Sequence, residues 1–347
     1  MFWRRVLEQL RRRIERPDVI EEIDQRLASD ELDHNAIHNI VERIGQDDMQ
    51  LVLVLDDFHA VQDVKDIVAI ANFADGLRSL ITRQEHKAHV VLSTYRPLQV
   101  VAASFYVGFS RSPFENYFVM LGLRTLRQDD IKRLVALALS SAQVTFNDTD
   151  TRFITELSGG HPYLVQLAGS VLYNARLTSS TSQDDLDAQA QAFIEDAATL
   201  FGRMWASTSS EEQMLLMLLA LDRLQGKLSG KSYDLGDVDK VLLRYGREVN
   251  ELARRGQISR TGTSAESIKI FSPAYEWWIQ REIESGTRQD LRARERLVND
   301  LLPTRGQANS VVQALRFVYE RKEAIANMAE WTVKVARRLA LAAAGAG

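Results

Sequence analysis

The chain has 347 residues, is 45% hydrophobic and 26% charged, and carries a formal net charge of −4. This composition is typical of a soluble globular protein of two or three domains, and the small negative charge argues against a nucleic-acid surface along the whole chain. Cysteine is absent, which excludes disulfides and thiolate metal sites and favours a cytoplasmic location.

The N-terminal sequence MFWRRVLEQLRRRIERP interleaves basic and apolar residues, unlike a signal peptide, whose basic residues precede one apolar block. No run reaches the ~18 consecutive apolar residues of a membrane-spanning helix. The apolar residues from Phe2 instead recur at helical spacing, and Pro17 stops the predicted helix.

The first 126 residues predict alternating helices and strands. The stretch LVLVL (51–55) is short and apolar at every position, as expected for a central strand of a parallel sheet. Such alternation is typical of a parallel sheet with helices on its faces. The other predicted elements are helices near 18–28, 34–45 and 63–83, a mixed segment at 98–116, and strands at 88–96 and 116–123.

After residue 126 the pattern becomes helical. Ser209 and Glu212 form a predicted capping box at the start of a helix. A helix at 236–255 and two short strands within GQISRTGTSAESIKIFSP then give the outline of a winged helix, and the last 60 residues read as amphipathic helices. The helices predicted before these elements span 128–141, 148–158, 161–176 and 184–204.

Two adjacent carboxylates, Asp56 and Asp57, end the first predicted strand. Parallel sheets bind ligands at the carboxyl ends of their strands, and Mg²⁺ prefers oxygen ligands from one or two carboxylates. An apolar strand ending in two acids is typical of the Walker B element of P-loop nucleotidases, in which Asp56 would support Mg²⁺ and Asp57 would orient the attacking water. Alternatively, the two acids only cap the next helix.

Ser93, Thr94 and Arg96 follow the second predicted strand. In a P-loop sheet, the strand beside Walker B carries a polar residue that senses the γ-phosphate, and an arginine there can reach a phosphate. The alternative is a polar surface loop. Further along, Gly159 and Gly160 end one helix and Pro162 starts the next, which is either helix punctuation or the start of a lid helix that packs on a nucleotide base.

The order of these motifs resembles that of the AAA-related STAND ATPases and, more closely, of the bacterial and archaeal AAA-like ATP-binding proteins in that group. The resemblance covers about residues 1–285. It rests on LVLVLDDFHAV, VVLSTYRPL, SRSPFENYFVMLGLRTL and ELSGGHPYLVQLAG, followed by the winged-helix pattern.

The resemblance implies ATP and Mg²⁺ as ligands and a switch whose ATP or ADP state controls how lid and winged helix pack. By the same resemblance, Asp56 and Asp57 form Walker B, Thr94 and Arg96 lie in the sensor-1 region, and Pro162 lies near adenine. Protein partners and self-association are expected outputs of such a switch.

The phosphate-binding loop of that family, G-x-x-x-x-G-K-[ST], does not occur before Walker B, where Gly45 is the single glycine of residues 1–50. The chain is therefore interpreted as N-terminally truncated or as a degenerate family member. The stretch GKLSGKS (226–232) has three residues between its glycines instead of four and is read as a loop. Because backbone N–H groups of the missing loop would cradle phosphate, the chain alone is expected to bind ATP poorly and to hydrolyse it negligibly.

The alternative is a non-catalytic DNA- or protein-binding winged-helix module on a degenerate core. Arg254, Arg255 and Arg260 lie where a winged helix can approach a DNA backbone. In either case the predicted fold is α/β plus α, with a partial parallel P-loop-type sheet. The predicted domains are a nucleotide-binding core at 1–126, a helical lid at 127–205, a winged helix at 206–285 and C-terminal helices at 286–347.

Overall fold

The computed structural model describes residues 2–29, 34–47, 49–83, 87–105, 113–178, 183–224, 233–262 and 264–320. It is mostly helical, contains two small sheets and divides into two compact units, Met1–Leu121 and Gly122–Gly347. Among the described residues, no helix has the length and apolar character needed to cross a membrane. The glycine-containing stretch 226–232 lies outside the described residues.

Among its described residues, the first unit has five α-helices and a two-stranded parallel sheet. Its helices and strands lie close to the predicted positions, except that the helix predicted at 63–83 begins later, after a 3₁₀ turn at Phe58–Asp63. In chain order the elements are α1 (Phe2–Arg11), α2 (Pro17–Ala28), α3 (His34–Ile44), β1 (Leu51–Leu55), α4 (Ile67–Arg83), β2 (Ala88–Leu92) and α5 (Leu98–Ala102).

The register of the sheet separates its side chains into two faces. Leu53 of β1 pairs with Val90 of β2, and Val54 pairs with Val91. Because side chains alternate along a strand, each pair shares one face. The inner face carries Leu51, Leu53, Leu55, Ala88, Val90 and Leu92, which pack in a core with residues of α1 to α5.

The opposite face of the sheet corrects the prediction of a central strand buried on both sides. Val52 is 54% exposed, Val54 is 67% exposed and Val91 is 51% exposed. The apolar run in β1 indicated the strand itself correctly. It could not indicate cover on both faces, because the helices of the first unit pack on one face only.

The strand predicted at 116–123 is also wrong. Phe114–Tyr117 is a 3₁₀ turn, and residues 118–123 have no regular structure. Val119 and Leu121 are almost fully exposed. A strand requires a second backbone to accept and donate its hydrogen bonds, and the described sheet joins only β1 and β2.

The second unit contains ten helices and an antiparallel pair of strands among its described residues. The capping box at Ser209 and Glu212 is confirmed, since each residue's backbone N–H donates to the other's side chain. The helix predicted at 236–255 is instead two helices. The elements are α6 (Gln128–Ala138), α7 (Asp148–Ser158), α8 (Pro162–Thr178), α9 (Gln183–Ala206), α10 (Ser210–Leu224), α11 (Val238–Arg244), α12 (Gly246–Arg254), β3 (Ile258–Arg260), β4 (Ile268–Ile270), α13 (Pro273–Ser285), α14 (Arg288–Leu301) and α15 (Arg305–Glu320).

One hydrophobic core runs through the whole second unit. It includes Ile131 of α6, Leu218 of α10, Tyr275 of α13 and Val318 of α15. The regions predicted as lid, winged helix and C-terminal helices therefore share a core. The 24 residues of α9 extend this core from the α7–α8 pair to α13.

Candidate functional site

The ends of β1 and β2 are joined by backbone hydrogen bonds that continue past the strands. The N–H of Ser93 donates to Leu55 O at 2.9 Å, and the N–H of Phe58 donates to Ser93 O at 2.8 Å. These bonds bring the residues after both strands to one corner of the sheet. The predicted grouping of Asp56 with Ser93 therefore holds in the structure.

The Asp56 carboxylate accepts two hydrogen bonds at this corner. The hydroxyl of Ser93 donates to Asp56 Oδ1 at 2.5 Å, and the backbone N–H of Asp57 donates to the same oxygen at 3.0 Å. The hydroxyl of Ser93, followed by this N–H, holds the pKa of Asp56 below its ordinary value. Asp56 is exposed, so its charged carboxylate is presented to solvent at neutral pH.

Asp57 has an unusual backbone. With φ at 49°, it is the one non-glycine residue of positive φ among the residues described. Its side chain makes no capping hydrogen bond to the 3₁₀ turn that follows, so helix capping does not account for this acid. Aspartate tolerates this left-handed conformation better than most residues, and such outliers cluster at functional sites.

Thr94 and Arg96 form hydrogen bonds with each other in the loop after β2. The backbone N–H of Arg96 donates to Thr94 Oγ1, and that hydroxyl donates to Arg96 O. The guanidinium of Arg96 donates to Gln62 Oε1 at 2.9 Å and lies 5.7 Å from the ring centre of Tyr95. Both predicted residues are near the corner, but their polar groups bond to this loop and to Gln62.

A cavity of about 450 Å³ opens beside the two acids. Its described lining combines the carboxylates with apolar side chains, and no basic residue is among the residues described there. The residues around it are Phe2, Val54, Leu55, Asp56, Asp57, Phe58, Ala60, Val61, Val64, Ala69, Ile70 and Phe73.

The corner suits one mode of Mg²⁺ binding. The described residues contain no group of three or more His, Asp or Glu side chains placed to hold a metal. Mg²⁺ often uses one or two carboxylates and completes its shell with water and substrate phosphate. The ionised Asp56 and the neighbouring Asp57 can supply such ligands.

Pro162 lies in the second unit, at the first position of α8. The turn before it is set by Gly159 and Gly160, whose φ values are 54° and 80°. A Cβ at Gly159 would lie 2.0 Å from Phe271 O, and one at Gly160 would lie 2.4 Å from Leu126 O. Backbone packing within the second unit thus fixes this turn. This agrees with the interpretation that Gly159, Gly160 and Pro162 end one helix and start the next.

The three arginines proposed to contact DNA are engaged in different ways. Arg254 forms an ion pair with Glu251 on the same helix. Arg255 forms an ion pair with Glu212, which is buried. Arg260 is exposed, but its guanidinium donates to Asn250 Oδ1 at 2.8 Å and to Gly262 O at 2.7 Å.

Sequence reasoning missed three neighbours of the site. The ring centre of His59 lies 3.7 Å from that of Tyr95, and its Nδ1 is buried without a hydrogen-bond partner among the described residues. Gln62 holds Arg96, and Phe2 lines the cavity. The one sequence signal for His59 is its position two residues after Asp57, which places it close to the site.

Comparisons of the chain with protein-family models, with curated proteins and with solved structures found no match.

Proposed function

We propose that the first unit carries the carboxylate part of a Mg²⁺–nucleotide site, and that the chain is the regulatory ATP-binding switch module of a STAND-type, AAA-like ATPase. The observation that supports this most directly is the exposed Asp56 carboxylate, bonded to Ser93 across the ends of two neighbouring parallel strands. Ligands bind at this edge of parallel sheets.

In this proposal each residue of the corner has a separate task. Asp56 holds Mg²⁺ through its oxygens, and Ser93 fixes the direction of the carboxylate. Asp57 orients the water that attacks the γ-phosphate. Mg²⁺, when bound, neutralises charge on the phosphate oxygens. Arg96 could turn from Gln62 toward a phosphate.

The proposed output is regulatory. The ATP or ADP state would control the packing of the lid and the winged helix and the association of protein partners. Because the described helices of the second unit share one core, these two regions would change their packing together, as one body. The sequence supplies no phosphate-binding loop before β1, so the chain alone is expected to bind ATP weakly and not to turn it over.

Mn²⁺ is a direct probe of the carboxylate corner. The full chain should bind Mn²⁺ weakly, as measured from the free-ion electron paramagnetic resonance signal, and the bound ion should broaden the amide resonances of Asp57 and Ser93. Asp56→Asn should abolish that broadening, while Asp63→Asn, at another exposed aspartate of the same unit, should not. Equal broadening in Asp56→Asn would refute the carboxylate site.

Turnover tests the second half of the proposal. The purified chain should release phosphate from ATP at the rate of the buffer blank. ATP-dependent release that Asp57→Asn removes would show instead that the chain is a complete ATPase.

The alternative, a non-catalytic DNA- or protein-binding module, has no specific contact in its favour. Arg255 is held by Glu212 and Arg254 by Glu251, which leaves Arg260 as the most exposed of the three. Salt-dependent affinity for duplex DNA that falls in Arg260→Ala and Arg254→Ala would favour this alternative.

A further inference from the structure

The uncovered face of the first sheet, which we term the outer face, is apolar along most of its length and acidic at one end. Val54 is 67% exposed, and the neighbouring valines are more than half exposed. Parallel sheets occur almost only with both faces covered, because their strands are apolar on both sides. By register, the outer face consists of Val52, Val54 and Asp56 from β1 and its extension, and of His89, Val91 and Ser93 from β2 and its extension.

The acidic end of the outer face adjoins the cavity beside Asp56 and Asp57. The cavity wall adds Phe2, Phe58 and Phe73, which form a chain of aromatic contacts: ring centres of Phe2 and Phe73 are 4.7 Å apart, and those of Phe58 and Phe73 are 6.2 Å apart. The volume of about 450 Å³ is ample for one large apolar side chain. Among the described residues that line the cavity, Asp56 and Asp57 are acidic and none is basic.

From this charge pattern we infer that the outer face is a docking site for an amphipathic helix that carries an apolar stripe and a lysine or arginine. The stripe covers Val52, Val54 and Val91. One large apolar side chain of the helix enters the cavity, and the basic group meets Asp56 and Asp57. Such a helix satisfies both parts of the surface, the apolar face and the exposed carboxylates.

The dimensions of the two elements specify the helix further. Asp56 lies four residue steps after Val52, or about 13 Å at ~3.3 Å per step. A helix rises ~1.5 Å per residue, so a helix aligned with β1 covers that distance in about nine residues. The basic residue therefore lies about two and a half turns from the apolar residue that packs on Val52.

Other occupants fit the charges less well. An anionic lipid surface would be repelled by Asp56 and Asp57. A second copy of the chain would present the same two carboxylates and the same valines, without a lysine or arginine from that face. The inference does not depend on nucleotide binding, because the docking surface is defined by exposed valines as well as by the acids.

The test uses the full chain, without nucleotide or Mg²⁺, and two synthetic 18-residue peptides labelled with fluorescein. Both peptides are helix-forming and have the same leucine stripe; one has lysines flanking the stripe and the other has glutamates. Fluorescence anisotropy should show at least tenfold tighter binding of the lysine peptide. Hydrogen exchange should show new protection of Leu51–Leu55 on binding.

Val54→Asp should weaken binding of the lysine peptide at least tenfold. Leu243→Asp is the matched control, since Leu243 in the second unit is 66% exposed, and it should leave binding unchanged. Val54→Thr, which adds no charge and preserves strand propensity, should weaken binding less than Val54→Asp. Circular dichroism of all three variants should match that of the parent chain.

Three results would overturn the inference. The first is equal affinity for the two peptides, or binding that Val54→Asp does not change. The second is a dimer, seen by sedimentation, that Val54→Asp converts to monomer. The third is binding to phosphatidylcholine–phosphatidylglycerol vesicles that Val54→Asp abolishes. A chain that binds the lysine peptide but not Mn²⁺ would support the docking site while refuting the nucleotide proposal.

Discussion

The hydroxyl of Ser93 determines the protonation behaviour of the Asp56 carboxylate. It is the largest cause of the lowered pKa of Asp56, ahead of the backbone N–H of Asp57. A hydrogen bond to the charged form of a carboxylate stabilises that form. Because Asp56 is exposed, its lowered pKa has little influence on the stability of the fold. It instead keeps the carboxylate charged and able to bind a cation.

Ser93→Ala should raise the pKa of Asp56 toward the ordinary aspartate value of about 3.9. In the parent chain the charge is present above that value and is lost only as the pH falls through the lowered folded-state pKa; in the variant the loss should begin at a higher pH. Carboxyl carbon chemical shifts measured from pH 2 to 6 report this directly. Thr94→Val is the control, because the Thr94 hydroxyl bonds to Arg96. An unchanged titration in Ser93→Ala would mean that the hydrogen bond does not persist in solution.

A buried ion pair connects two helices of the second unit. Arg255 follows α12 and pairs with Glu212 in the first turn of α10, with side-chain exposures of 15% and 8%. Removal of one partner leaves a buried charge without compensation. The pair therefore contributes to correct docking of these helices, and not to a nucleic-acid surface.

Arg255→Met should lower the free energy of unfolding by about 3 kcal/mol. Arg254→Met, at the adjacent and more exposed pair with Glu251, should change it by less than about 1 kcal/mol. Urea denaturation followed by circular dichroism measures both. Similar values for the two variants would contradict the distinction between the buried and the surface pair.

At the scale of elements, the turn between α7 and α8 is fixed by other parts of the second unit. The backbone of Phe271 closes over Gly159, and the hydroxyl of Ser272 at the start of α13 donates to Leu157 O at 2.7 Å. The N–H of Leu126 donates to Gly160 O at 2.7 Å. Because Gly159 and Gly160 lack a Cβ, the backbones of Phe271 and Leu126 can approach this turn closely. A side chain at either glycine would prevent that approach.

Gly159→Ala should destabilise the second unit strongly. The positive φ alone costs on the order of 1–3 kcal/mol for a residue with a Cβ, and the contact with Phe271 O adds to this. The control is Gly202→Ala in α9, where a Cβ meets nothing within 4 Å. That change should stabilise the helix by about 0.5–1 kcal/mol. The midpoint temperature of thermal unfolding should therefore fall in Gly159→Ala and rise in Gly202→Ala. A change in the same direction in both variants would contradict the packing described at the turn.

At the scale of the whole molecule, the two units have separate hydrophobic cores. The core of the first unit contains residues from Leu7 to Phe114, and that of the second unit contains residues from Ile131 to Val318. The second core joins α6–α9 to α10–α15 through residues such as Phe201 and Tyr275, whose ring centres are 5.2 Å apart. This extent makes the second unit a single cooperative structure.

A fragment of residues 122–320 should fold alone, with dispersed amide resonances and one cooperative unfolding transition. A fragment of residues 207–320 should not, because loss of α6–α9 exposes the core face of α13, including Tyr275. The dispersion of amide resonances in heteronuclear correlation spectra of both fragments tests these two expectations. A well-dispersed spectrum for the shorter fragment would show that the winged-helix region has an independent core.

Local patterns were sufficient for most helices and for the positions of the polar residues at the strand end. Apolar spacing indicated α2, α3 and α7 nearly to the residue, and the reciprocal capping of Ser209 and Glu212 was readable from their separation. The position of Asp56 after an apolar run also predicted that it would lie at a sheet edge near Ser93. These features depend on neighbours within one or two turns or on the direction of a parallel strand.

The sequence by itself determined where most helices and the first two strands form and which polar residues follow those strands, because backbone propensity and side-chain periodicity act over short distances. Tertiary structure alone decided that Val52 and Val54 face outward, that 116–123 has no strand partner, and that Arg255 is buried against Glu212. Those outcomes depend on which distant surface arrives to cover a side chain or a backbone group. An apolar pattern indicates that burial of these side chains is favourable. It does not indicate whether another part of the chain packs against them.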